Sequence, residues 1–156
     1  MRRRSSYKKR EREPDSMYGR IDAGRFINFL MRQGKKSVAE KVFYRALEEV
    51  RTITKEDPLP IFERAITNAS PVVEVTSRRV GGANYQIPRE VRPERRFFLA
   101  VNWLIQAARN KKGKPMAFKL AEELIAASKN EGIAIKKKHD THRIAEANRA
   151  FASFIR

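Results

Sequence analysis

Cysteine is absent from the 156 residues, which excludes disulfide staples, thiol catalysis and cysteine-based zinc sites. A chain of this length needs none of these to hold a core, and reads as one domain with tails. Histidine is scarce as well: His139 and His142 are the two, and their spacing in His-Asp-Thr-His supplies half a metal site at most. No metal and no cofactor is expected, and the pair reads as solvated helix-start residues. No apolar run approaches the length of a membrane span, and the basic beginning is followed by Glu-Arg-Glu-Pro-Asp, not by an apolar signal core. A soluble, intracellular protein with no membrane partner is the expectation. Acid is the remaining deficit. Eighteen Asp and Glu stand against thirty-five Lys and Arg, giving a formal net charge of +17, more than pairing on helix surfaces can absorb. The expected partner is a polyanion, and nucleic acid is favoured over anionic lipid because the apolar stripes are needed for a core. No nucleophile with a base stands out, and Glu48-Glu49 and Glu122-Glu123 read as solvated helix faces, so an enzyme is not expected.

What is present is organised around residues 72–91. Two β-favouring runs, Val72 to Val80 and Ala83 to Ile87, flank Gly81-Gly82, whose freedom to take positive φ suits a tight, right-twisting hairpin. That turn places Arg79 opposite Asn84 and Arg78 opposite Tyr85, which makes the tip basic. An isolated hairpin is marginal in water. Its base must therefore be anchored, through Val73, Val75 and Ile87, while its tip projects.

The flanking chain is helical. Residues 1 to about 16 carry Arg2, Arg3, Arg4, Lys8, Lys9 and Arg10 with no apolar periodicity, and form a basic arm ahead of a single helical domain over 17–156. A first helix runs from Ile21 until Gly34 stops it. After Lys35 and Lys36, Ser37-Val-Ala-Glu40 has capping-box spacing and begins a second, with Val38, Phe43 and Leu47 on its inner side. Asp57 and Pro58 cap and open a third, ended by Pro71. Pro93 and Glu94 open a fourth, apolar over so much of its circumference that it is expected to be the central one; Arg92, Arg95 and Arg96 crowd its first turn. Beyond the basic loop Lys111, Lys112 and Lys114, a fifth helix follows Pro115, with Gly132 as its stop. Lys136, Lys137 and Lys138 then lead into a sixth, with Ile144, Ala147 and Phe151 on one face and Arg143 on another. The fold class is therefore mostly α, a six-helix bundle with one protruding two-stranded β-hairpin.

These basic clusters come from distant parts of the chain. Such a distribution suits a shaped RNA better than one helix laid in a DNA groove; the rival is an architectural DNA-binding protein that bends duplex with a basic ribbon. Three phrases then add a family. Met-Arg-Gln-Gly-Lys-Lys-Ser at 31–37, Ser-Arg-Arg-Val-Gly-Gly-Ala-Asn-Tyr-Gln-Ile-Pro at 77–88 and Ala-Glu-Ala-Asn-Arg-Ala-Phe at 145–151 closely resemble the bacterial form of small-subunit ribosomal protein seven. The resemblance implies a structural, cytoplasmic ribosomal protein that binds the 3′ major domain of small-subunit ribosomal RNA and starts assembly of the head. It implies a place at the subunit interface near exit-site tRNA and the mRNA exit, among other proteins of the head and platform. By position, it gives ribosomal RNA to Arg2, Arg3, Arg4, Lys8, Lys9, Arg10, Lys35, Lys36, Arg92, Arg95 and Arg96, with the loop Lys111, Lys112 and Lys114 alongside. Proximity to tRNA and mRNA falls to Arg78, Arg79, Gly81, Gly82, Asn84 and Tyr85 at the tip, and to Lys136, Lys137, Lys138 and Arg143. The chain departs from the family pattern at Thr76 and Asn102, where arginine is expected, and at His139, where an acid is usual.

Overall fold

The structure, a computed structural model, describes residues 13–155. Its elements are α1 (Ile21–Leu30), α2 (Lys36–Thr54), α3 (Pro58–Ala69), β1 (Val73–Val80), β2 (Ala83–Glu90), α4 (Pro93–Asn110), α5 (Met116–Ser128), α6 (Ile133–Ala147) and a closing 3₁₀ turn, Arg149–Ile155. Six helices and one antiparallel hairpin match the expected class.

Apolar residues at helical spacing bring α1, α2 and α3 together through three buried rings. Phe26 lies 5.3 Å from both Phe43 and Phe62, and Phe43 lies 5.4 Å from Phe62, with two of the three contacts edge-to-face. Removing one such ring costs about 3–5 kcal/mol. The central helix is α5, not α4. Small residues at Ala117, Ala121 and Ala127 let its neighbours approach closely, and it packs on α2, α3, α4 and α6. The outer stripe of α4, Leu99 and Trp103, is only half buried.

Several helix ends differ from expectation, each for a local reason. α1 stops at Leu30, ahead of Gly34, because Met31 turns extended (ψ 140°) and Gln33 and Gly34 take positive φ in the turn that follows. Ser37 does not cap α2: Lys35 holds the cap position without a side-chain bond, and Val38 is 54% exposed. Asp57 does cap α3, accepting from the Leu59 N–H at 3.2 Å. Gly132 does not end α5 but opens α6, with φ +97°. Lys136 to Lys138 therefore lie inside α6, and His139 and His142 sit in its middle. Starting the helix at Ile133 also changes its phase, so Ala145 is buried where Ile144 was expected and Ile144 is 41% exposed.

The hairpin has the expected register, Val80 with Ala83, Arg79 with Asn84 and Arg78 with Tyr85, and both turn glycines have positive φ. β2 continues past Ile87 to Glu90, through Pro88, which a two-stranded ribbon tolerates because each strand has a free edge. Ile87 and Val91 are buried at its base, while Val73 and Val75 are half-buried. The ribbon is more supported than expected: α6 packs on both strands and the 3₁₀ turn on β2.

Candidate nucleic-acid interface

At the end of the ribbon Arg78, Arg79, Gly81, Gly82 and Asn84 are exposed. Tyr85 is not part of that open tip. It is half-buried, its ring 5.1 Å from that of Phe151 in the closing turn, so it ties the hairpin to the end of the chain.

The start of α4 is locked to the hairpin base. Arg95 Nε lies 3.2 Å from Glu74 Oε2 on β1, and Arg96 Nε donates to the Val91 carbonyl at 2.9 Å. These bonds fix where the remaining charge of Arg92, Arg95 and Arg96 is presented, and Arg92 and Arg95 stay exposed. Beside them is a cleft of about 330 Å³ lined by Arg25, Phe29, Arg92, Glu94, Arg95 and Phe98. Its rings are half-exposed. Phe29 and Phe98 meet edge-to-face at 5.4 Å, Arg95 lies 4.9 Å over the Phe98 ring, and Arg25 lies 3.8 Å over Phe97. Sequence reading missed Arg25, Phe29 and Phe98 because α1 and α4 are far apart in the chain and no local pattern pairs them.

The lysine-rich turns divide. Lys35 and Lys36 are exposed. Nearby, Arg109 donates to the Leu30 carbonyl at 3.1 Å, and burial, with Arg32 next to it, lowers its guanidinium below the ordinary value. With Arg32 and Lys35 it rims a shallow depression floored by Leu30, Val42 and Met116. In the second turn Lys112 is exposed, but Lys111 lies 3.0 Å from Glu123 Oε2 and Lys114 is hydrogen-bonded to Glu122.

Glu123 was expected on a solvated face and is fully buried. Its Oε1 accepts from the Ala134 N–H at 3.0 Å, so α5 supplies the cap that α6 lacks. Gly132 makes that possible: a Cβ there would stand 2.8 Å from Oε1.

On α6, Lys136, Lys137 and Arg143 are exposed, and Arg143 pairs with Asp140 at 3.3 Å. Lys138 is turned to structure, donating to the Asn68 carbonyl at the end of α3 at 2.6 Å; burial lowers its pKa. His142 is half-buried and accepts the Val72 N–H at 3.2 Å, so it is a hairpin anchor and not a solvated side chain. Arg2, Arg3, Arg4, Lys8, Lys9 and Arg10 lie outside the described residues. The described end of the arm already grips the body: Asp15 is buried and accepts from the Tyr18 N–H and the Tyr44 hydroxyl. Among the described residues no group of three or more His, Cys, Asp or Glu is placed to hold a metal ion, and no helix is long and apolar enough to cross a membrane.

A helical body that fixes a basic ribbon and several exposed cationic clusters around it suits a polyanionic partner. The sequence matches the family of ribosomal protein S7p/S5e over residues 1–149. It is 54% identical over 154 residues to small ribosomal subunit protein uS7 of Thermotoga maritima, covering 99% of each chain. It is 53% identical, at the same coverage, to the proteins of that name from Burkholderia mallei and Burkholderia thailandensis. The chain belongs to this family of small-subunit ribosomal proteins, as the three sequence phrases implied. Membership gives it a structural place in the small subunit, and so in the translation machinery of the cytoplasm.

Proposed function

We propose that this protein binds the 3′ major domain of small-subunit ribosomal RNA, starts assembly of the head, and lies at the subunit interface near exit-site tRNA and the mRNA exit. The observation that carries this reading is the lock between α4 and the hairpin base, Arg95 on Glu74 and Arg96 on Val91. It holds the cations of the helical body in fixed relation to those of the ribbon, as a multi-point phosphate surface requires. Ribosomal RNA falls to the arm (Arg2, Arg3, Arg4, Lys8, Lys9 and Arg10), to Lys35 and Lys36, to Arg92, Arg95 and Arg96, and to Lys112. Lys111 and Lys114 contribute less, since α5 carboxylates already hold them. Exit-site tRNA falls to the exposed tip, Arg78, Arg79, Gly81, Gly82 and Asn84, with Tyr85 setting the ribbon's angle. Lys136, Lys137 and Arg143 face the neighbouring RNAs, and Lys138 positions α6. Other proteins of the head and platform are further partners. Residues 1–16 act as the binding arm of the domain formed by 17–156.

Crosslinking in cell lysate followed by sequencing of the attached nucleic acid tests the proposal. The expected yield is 3′ major domain ribosomal RNA from the body and tRNA from the hairpin tip. Genomic DNA as the main product would point instead to an architectural DNA-binding protein.

A further inference from the structure

We infer that the cleft between α1 and the start of α4 is a pocket for one unpaired nucleotide of the bound RNA, whose base packs against Phe29, Phe98 and the Arg95 guanidinium. This rests on the proposed RNA binding and adds to it a contact with a base, which no phosphate surface by itself provides. At about 330 Å³ the cleft admits a group of nucleotide size and not a duplex. Half-exposed rings are the second argument. A helical protein gains nothing in water by leaving Phe29 and Phe98 partly open, yet a base has two apolar faces that such rings can cover. The third is charge. Arg92 and Arg95 line the same cleft and are exposed, so the phosphates on either side of a splayed base find cations. Their fixing also matters, because Arg95 is held from one side by Glu74 and lies over Phe98, which sets its guanidinium plane before RNA arrives. Glu94 is the acid in the lining. Its position in the first turn of α4 favours the helix dipole.

The test is missing-nucleoside interference on a transcript of the 3′ major domain, partitioned by the full-length protein and by Phe98→Leu, which keeps the site apolar without a ring. For the wild type, loss of one particular unpaired nucleoside is expected to weaken binding about 5- to 100-fold, the range of a single base stack. For Phe98→Leu the same loss has no effect. The variant is also expected to bind the intact transcript more weakly by that factor while its dependence on salt is unchanged. Melting curves first establish that each variant folds; should Phe98→Leu fail to fold, Phe29→Leu replaces it. The inference is overturned by an interference pattern that is the same for wild type and variant, or by a variant that binds the RNA normally and instead fails to retain a protein of the head. Those results leave the phosphate surface intact. A salt slope shallower than about −2 for the wild type, by contrast, would remove the broad RNA surface itself.

Discussion

The two lysine-rich turns, Lys35-Lys36 between α1 and α2 and Lys111 to Lys114 between α4 and α5, read alike in the sequence and do opposite things in the fold. In the second, Lys111 lies 3.0 Å from Glu123 and 3.8 Å from Glu122, and Lys114 bonds Glu122 as well. The Lys114 hydrogen bond, against slight desolvation, holds the Glu122 carboxyl below its ordinary range. In the first turn both ammonium groups are exposed, and none of the ion pairs among the described residues involves them. One turn is an internal brace, and the other leaves its charge for an outside partner. What separates them is whether the facing helix presents acid, which a run of lysines does not record.

The brace breaks at Glu123. Glu123→Ala removes the cap of Ala134 and leaves Lys111 without its buried partner. Breaking a buried pair costs about 3–5 kcal/mol. Because the Lys111 side chain keeps 25% of its exposure, water offsets part of that, and about 2–3 kcal/mol is expected, a fall in Tm of roughly 5–10 °C. Calorimetry that shows a fall below about 2 °C would mean that the pair stabilises nothing. The next effect runs through RNA. Lys35→Gln with Lys36→Gln should make the slope of log affinity against log salt shallower by about 1.4–1.8, with Tm within about 2 °C of wild type. Lys111→Gln should do the reverse, lowering Tm and sparing the slope. If the two variants behave alike in both assays, the comparison fails.

How much of this was legible follows from the range of each interaction. The hairpin register was, because Gly81-Gly82 fixes it within a few residues, and so was the Asp57-Pro58 start of α3. The capping of α6 was not. Its acceptor, Glu123, stands eleven residues before Ala134, and nothing local marks a glutamate as a cap for the next helix. Reading Gly132 as a stop instead of a start then shifted the phase of α6, turned Ile144 inward and put His142 in solvent. Tyr85 was misplaced for a similar reason, since its partner Phe151 lies in a 3₁₀ turn without periodicity. The cationic positions themselves were legible from composition, but not which of them the fold uses internally: Lys111, Lys114 and Lys138 were indistinguishable from Lys112, Lys136 and Lys137.

The ribbon sharpens the same contrast on a smaller scale. Arg78 and Arg79 are at its open end, and its tyrosine is a brace. Phe151→Ala removes a ring pair worth about 0.5–1.5 kcal/mol beyond its buried area, so amide protection along β2 should fall by that order while α1 to α5 are unaffected. Arg79→Gln should leave amide protection of β2 unchanged. Hydrogen exchange read residue by residue checks both, and equal loss of protection in the two variants would mean that the tip and the brace are not separate parts.

The smallest effect is at the base of the ribbon, where His142 tests whether α6 holds the hairpin by a bond that needs a neutral ring. Nε2 accepts the Val72 N–H, and Val72 in turn accepts from Val91 across the ribbon at 3.0 Å. A protonated imidazole cannot accept. Burial lowers the His142 pKa below its ordinary 6.5, and the positive charges of Lys138 and His139 lower it further. The unfolded chain therefore binds a proton at a pH where the folded one does not, so stability contributed by this site is present above the unfolded value and is lost as pH falls through the folded one. Urea midpoints measured between pH 7.5 and 5 should thus decline for wild type, with the loss beginning near pH 6.5, and stay flatter for His142→Gln. Acids with ordinary values near 4 stay mostly ionised in that interval. A decline of equal slope in both proteins would place the titrating group elsewhere and leave the α6 contact as packing alone.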